Sequence, residues 1–342
     1  MTISRYLAIG IANAVLASCL WAVPVPGLSL TQLDRTSDLI VVGKVSSLSR
    51  VGVGVIEQNS QKFPCELMTF DLLVDQTIKG LVLSQKITVG FSVPAEFLGY
   101  RFPKEGDYGV YFLQKLAQHY TLTSPFHPSV IAIPGVQVSG ISSIEDIISQ
   151  MTAALQSPST TRSEKLQIIR AFLSNHEDAA TKALHEGATN DDQVVKFRAI
   201  GLLLARDDIS YLELAAQVLL GPDSRIASND EQLREAIESM ANGIGAGVKD
   251  PRAIPLLTKL RSSDDATVRR YATRALMRTE SVDAVPALVS ALDDTDAEVR
   301  FLSAEGLAKI TMQPDRRPVP NDARTGDDDW LDYWKEWAKT KR

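Results

Sequence analysis

Four histidines, His119, His127, His176 and His185, and two cysteines, Cys19 and Cys65, are the side chains best suited to metal ligation or nucleophilic chemistry. His176 and His185 fall in a helical stretch, and His119 and His127 flank a strand-like one. Neither pair has a carboxylate or cysteine at ligand spacing, so no metal site is expected. No His or Arg/Lys cluster adjoins Cys65, which leaves its thiol unactivated and points to a small buried apolar residue. The chain has no His-Glu-x-x-His, Cys-x-x-Cys or Gly-x-Ser-x-Gly, and no phosphate loop ending Gly-Lys-Ser/Thr. Gly243-Ile-Gly245-Ala-Gly247 has nucleotide-loop spacing but follows a helix instead of a strand, and is expected to be a helix C-cap and turn. Asp327-Asp328-Asp329 lacks the glycine and the final glutamate of a calcium loop and is expected to supply charge to the start of the next helix. No catalytic residue, cofactor or metal is therefore expected.

The composition agrees with a binding role. With 36 basic and 42 acidic residues among 342, the formal net charge is −6, and no local basic patch stands against it, so no nucleic-acid partner is expected. A 44% hydrophobic share with 6% aromatics is ordinary for two or three packed domains and excludes disorder, collagen and a multi-span membrane protein. Two cysteines cannot build a disulfide framework, so packed cores must carry stability.

Met1 to Arg5 is a short n-region, and Tyr6 to Val25 is apolar or small apart from Asn13 and Ser18, with helix-breaking Pro24 and Pro26 at its end. This is the shape of a secretory signal peptide, residues 1–22, cleaved after Ala22. Leu16-Ala17-Ser18-Cys19 resembles a bacterial lipobox, in which the leader would be residues 1–18 and Cys19 the lipidated N-terminus. An uncleaved anchor is the third reading, since the apolar run is long enough to span a bilayer. All three place the rest of the chain outside the cytoplasm, periplasmic or extracellular, with membrane contact only through a lipid or a retained leader.

Residues 27–140 read as β-rich. Leu39-Ile40-Val41-Val42 is a β-branched run; Met68, Phe70, Leu72 and Val74, then Ile87, Val89, Phe91 and Val93, alternate at period two. Lys79-Gly80, Pro94, Pro103 to Gly106, Pro125 and Pro128 punctuate the runs, and further strands are expected at 109–113, 120–123 and 130–133. Short strands without intervening helices mean an antiparallel barrel or sandwich. The order Asp38 to Val45, an alternating strand ending Ile78-Lys79-Gly80, then Gly106 to Leu113 resembles the small β-domain of secreted bacterial proteins, similar to OB-like, netrin-type barrels. The netrin-type cysteine pattern is missing, so an inhibitor activity does not carry over.

After Pro134 the period becomes helical. Residues 141–162 form a helix opened by Ser142 as N-cap with Glu145 three on, followed by a Ser/Thr-rich linker from Gln156 to Arg162. From 163 to 312 four to five helix pairs are expected. Within them Asp250 to Met277 and Ser281 to Ala308 fall into register: Pro255 on Pro286, Val268-Arg269 on Val299-Arg300, Leu276 on Leu307. Such a period signals a solenoid of helix pairs. Proline opens each first helix, and the Asp-rich turns offer carboxylates to each second one. Arg269 and Arg300 are expected to contact acidic turn residues of neighbouring repeats. Ala-x-Pro-x-Leu, an Asp-rich turn, Val-Arg and then small residues with Leu resemble the HEAT-like repeats of the phycobilin-lyase type. Residues 313–342 are a loop and a terminal helix whose Trp330, Trp334 and Trp337 form either an aromatic docking stripe or a cap on the last repeat.

The fold expected is thus multidomain, an N-terminal β-barrel or sandwich followed by an all-α HEAT-like solenoid. The function expected is a non-enzymatic, exported scaffold that binds another protein. The repeat resemblance implies tetrapyrrole handling as an alternative, and ligand binding or protease inhibition by the β-domain is a third reading.

Overall fold

The computed structural model describes residues 30–58, 61–94, 103–117, 119–123, 130–131, 143–173, 178–221, 230–318 and 329–340. The leader with Cys19, and also His127, Ser142, His176, Asp327 and Asp328, lie outside the described residues. The chain divides into two compact units, Met1–Ala183 and Leu184–Arg342. No described helix is long and apolar enough to cross a membrane.

The first unit holds α1 (Leu30–Thr36), six strands, and the helices α2 (Ile144–Gln156) and α3 (Arg162–Ala171). The strands are β1 (Leu39–Gln58), β2 (Gln61–Lys79), β3 (Lys86–Pro94), β4 (Tyr108–Leu116), β5 (His119–Leu122) and β6 (Val130–Ile131). Their order is β1-β2-β3-β5-β4-β6, and β4 also pairs with β1, so the hydrogen-bond ladder returns to its first strand. The sheet is mixed, which corrects the antiparallel expectation: β5 folds back from β4 in a hairpin and thereby lies parallel to β3. The short helix α1 precedes the first strand, in a stretch where the residue pattern predicts no helix.

The period-two residues do what their spacing predicts. Leu39, Val41, Val45, Phe70, Leu72, Ile87, Val89, Phe91, Tyr111 and Leu113 form one buried core, with Met68, Val74 and Val93 at its margin. Ile40, Val42, Val110 and Phe112 point the other way and are equally buried, which explains why the first strand reads as a continuous apolar run. α1 packs on β4 and on α2. β2 turns into β3 at Gly80, where φ is +85° and a Cβ would lie only 2.5 Å from the carbonyl oxygen of Asp38, so the position excludes a side chain.

The helix predicted after Pro134 starts one residue later than expected. Ser143, not Ser142, is its N-cap, and Asp146, not Glu145, closes the capping box. The β-branched Ile144 thereby becomes the first buried helical residue. A second capping box, Thr161 with Glu164, ends the linker and opens α3.

The second unit contains α5 (Gln193–Ala205), α6 (Leu212–Leu220), α7 (Glu231–Gly247), α8 (Ile254–Leu260), α9 (Ala266–Arg278), α10 (Val285–Ala291), α11 (Ala297–Ile310) and α12 (Asp329–Lys339); α4 (Asp178–Ala188) carries the division between the units. Among the described residues three regular helix pairs, α6–α7, α8–α9 and α10–α11, follow α5. α2 and α3 pack on each other in the first unit. The second helices α5, α7, α9 and α11 contact one another in series.

The closest approach in that series is between α5 and α7. A Cβ on Gly243 would lie 2.1 Å from the carbonyl oxygen of Gly201, and one on Gly247 would lie 2.2 Å from the carbonyl carbon of Ala205. The glycine run therefore belongs to the last turns of α7, where it lets two helix backbones touch. This corrects the C-cap and turn reading, which applies only at Val248 beyond the run. In an open helix Gly→Ala gains about 1 kcal/mol; at Gly243 the added methyl overpacks a backbone contact at a cost of about 1–3 kcal/mol. Gly243→Ala is accordingly expected to lower the urea midpoint of unfolding, and a raised midpoint would show that the helices can separate freely.

Candidate interaction surface

Each second helix begins with an aspartate whose carboxylate caps it. Asp192 accepts from the N–H groups of Val194 and Val195, Asp230 from Leu233, Asp265 from Thr267 and Asp296 from Val299. The turns into the first helices use the same device two residues on: Asp208 accepts from Ser210, Asp250 from Arg252 and Ser281 from Asp283. Pro255 and Pro286 stand in the first turns of α8 and α10, where a missing N–H costs nothing. Val268 and Val299 are buried beneath their helices.

The repeat arginines are used inside the stack. Nη1 of Arg269 donates to the carbonyls of Ser263 and Asp264 in its own turn, at 3.0 and 3.1 Å. Its Nε and Nη2 donate to Asp294 of the next turn, both at 2.9 Å, in a two-pronged clasp. Arg300 repeats the first half of this arrangement, on the carbonyls of Asp294 and Thr295 at 3.0 and 3.2 Å. No carboxylate among the described residues completes the second half. Arg261 approaches Asp294 from the other side at 3.9 Å and donates to the carbonyl of Ala287. Burial works to raise the Asp294 pKa, but the bonds from Arg269 and from the N–H of Asp296, with the charges of Arg269 and Arg261, outweigh it and hold the carboxyl below its ordinary value. Asp296 is lowered chiefly by Arg270, which grips it at 2.9 and 2.6 Å.

Further ion pairs run across the outward side of the second helices. Arg198 of α5 meets Glu235 of α7 at 2.8 Å, and Arg274 of α9 meets Glu298 of α11 at 3.1 Å. Glu238, Arg278 and Glu305 lie on the same helices. At the far ends of the helices Asp207 accepts from the N–H groups of Lys249 and Asp250, and Glu280 pairs with Lys309. Asp207 and Glu280 both sit at positive φ just after a second helix. The sequence does not reveal their roles, because a non-glycine residue gives no signal of a left-handed conformation.

Trp334 is fully buried, with Nε1 donating to the carbonyl of Arg316 at 3.1 Å. Trp330 meets Phe301 of α11 edge-on, Trp337 meets Trp334, and α12 packs on α10 and α11. Cys65 is buried in β2, and burial raises its thiol against smaller opposing bonds from Ser92 and Gly54. Nε2 of His185 lies 2.8 Å from the Asp208 carboxylate, with the Tyr211 ring at 5.7 Å, while His119 is exposed on β5. Among the described residues no group of three or more His, Cys, Asp or Glu is placed to hold a metal ion.

The family model for HEAT repeats matches residues 226–308, which span α7 to most of α11. This part of the chain is a helical-repeat scaffold of the kind that typically mediates protein interaction. Crystal structures of two engineered proteins from the Northeast Structural Genomics Consortium are similar to the chain. One is 23% identical, with a TM-score of 0.27, over 48% of this chain and 72% of that one. The other is 21% identical, with a TM-score of 0.30, over 51% of each chain. A search of curated proteins found no match.

The Asp294 clasp sets a pH dependence. Because its folded pKa is depressed, its contribution is fully present above the ordinary carboxylate value near 4 and is lost as pH falls through the folded value. Asp294→Asn leaves two guanidinium groups short of their counter-ion and is expected to cost about 3 kcal/mol at neutral pH. Chemical denaturation at pH 7 and pH 3 checks this, since the difference from the native protein must shrink in acid; an equal difference at both values would remove the clasp from the account.

Proposed function

We propose that the protein is a non-catalytic, exported scaffold, periplasmic or extracellular, whose HEAT-repeat stack engages another protein. The observation that carries this reading is the way the polar signature of the repeats is consumed internally. Arg269, Asp294 and the capping aspartates satisfy turns and neighbouring helices, so they are not held ready for a reacting molecule. What faces outward is a broad helical surface of mixed charge, suited to a macromolecular partner. The apolar leader with its candidate lipidation site Cys19 supports export. The returning ladder of five strands, with β4 paired to both β1 and β5, supports reading the N-terminal domain as a small closed barrel of the OB-like kind.

A photo-crosslinking residue at Arg278, on the outward side of α9, and another at Val282, 71% exposed on the following turn, compare two sites in the chain exported by its own leader. A discrete protein adduct from position 278, absent at 282, is the expected result. Adducts only from the β-domain, tested at the exposed Val53, would overturn the assignment to the repeat surface.

A further inference from the structure

One end of the β-domain carries a feature that a protein-binding solenoid does not explain. The loop from β2 to β3 presents Leu81 at 76% exposure and Leu83 at 93%, while Val82 between them packs against the sheet core. Exposure of both leucines around one anchored valine makes an apolar tip on a fixed base, which gains by leaving water.

This tip lies at the end of the sheet where the chain enters from the leader. Gly80 abuts the carbonyl of Asp38 at the entry to β1, and the Asp38 carboxylate accepts the N–H of Lys115 at 2.8 Å. The Lys79 ammonium donates to the carbonyl of Asp34 in α1 and lies 3.7 Å from its carboxylate. α1, the loop and the end of β4 are therefore one connected end of the domain, with the exposed Lys115 beside it. Only Pro26 to Ser29 separate the apolar run ending at Val25 from Leu30 of α1. Four residues reach at most about 14 Å, so a leader retained in a bilayer holds this end of the domain at the bilayer surface; from an acylated Cys19 the ten residues Leu20 to Ser29 reach at most about 36 Å, which keeps this end within reach of it.

We infer that the Leu81–Leu83 loop is a membrane-contacting tip that seats the β-domain on the lipid surface in which its own N-terminal anchor is held. The two leucines enter the interfacial zone, and Lys115 is placed to meet lipid phosphates. The inference rests on the anchored forms of the export reading, a retained leader or an acylated Cys19.

The test uses the full chain produced with its native leader in a Gram-negative host, its mass measured, and then reconstituted into phosphatidylcholine–phosphatidylglycerol vesicles containing brominated lipid. An environment-sensitive fluorescent amino acid is incorporated in place of Leu83 or, as an internal control, in place of Val53, which is 70% exposed in the part of β1 that extends beyond β4; this labelling involves neither Cys19 nor Cys65. Expected is a leader-bearing or acylated mass with several-fold stronger quenching at position 83 than at 53. An anchored mass with equally weak quenching at both positions overturns the tip while leaving the anchor. A mass beginning near Val23 overturns both, since nothing then holds this end against lipid.

Discussion

A carboxylate at the start of each second helix is the interaction on which the repeat stack depends. Every helix begins with N–H groups that have no intrahelical partner, and in a stack of short helices these starts recur every few tens of residues beside packed neighbours. Asp192, Asp230, Asp265 and Asp296 each satisfy one or two of those donors from a single short side chain. The same charge sits favourably at the positive end of the helix. With the starts of the helices fixed, Val195, Val268 and Val299 fall beneath them and are buried at equivalent places.

The other contacts build on that alignment. Arg269 can grip both its own turn and the next because the two turns are held at matching heights, and Arg270 reaches the capping Asp296 itself. Where the stack needs closer packing than side chains permit, glycine supplies it, as at Gly201 and Gly243. Where the stack ends, α12 covers α10 and α11, and its buried Trp334 is tied by hydrogen bond to the turn after α11. The repeats thus spend their distinctive residues on their own geometry. The outward sides of the helices carry charges that alternate in sign from one helix to the next: Arg198, Glu235, Arg274 and Glu298.

The β-domain solves a different problem by a related economy. A sheet whose last long strand returns to its first leaves few main-chain groups without partners, and its interior is filled from the inward positions of β1 to β5. β1 and β2 run on together beyond their pairing with β4 and β3, since the ladder with β4 stops at Lys44 and that with β3 at Cys65.

Much of this was legible in residue order. Period-two alternation marks β2 and β3 and predicts which side chains enter the core, because a strand sends successive residues to opposite faces. The spacing of Pro255, Arg269, Pro286 and Arg300 marks the helix pairs, because a recurring unit must bury the same positions each time. Other features were decided only in three dimensions. The parallel pairing of β3 with β5 depends on which strand a hairpin brings back, and no local pattern encodes that choice. Gly243 and Gly247 read as a helix terminus because glycine is a poor helix former; their place within α7 is set by the backbone of α5 lying against them. The local residues determined periodicity, caps and burial, which act over a few neighbours. The tertiary structure decided partners, the return of the ladder and the clasp of Arg269 on Asp294, because each requires a group that is distant in sequence to arrive within bonding distance.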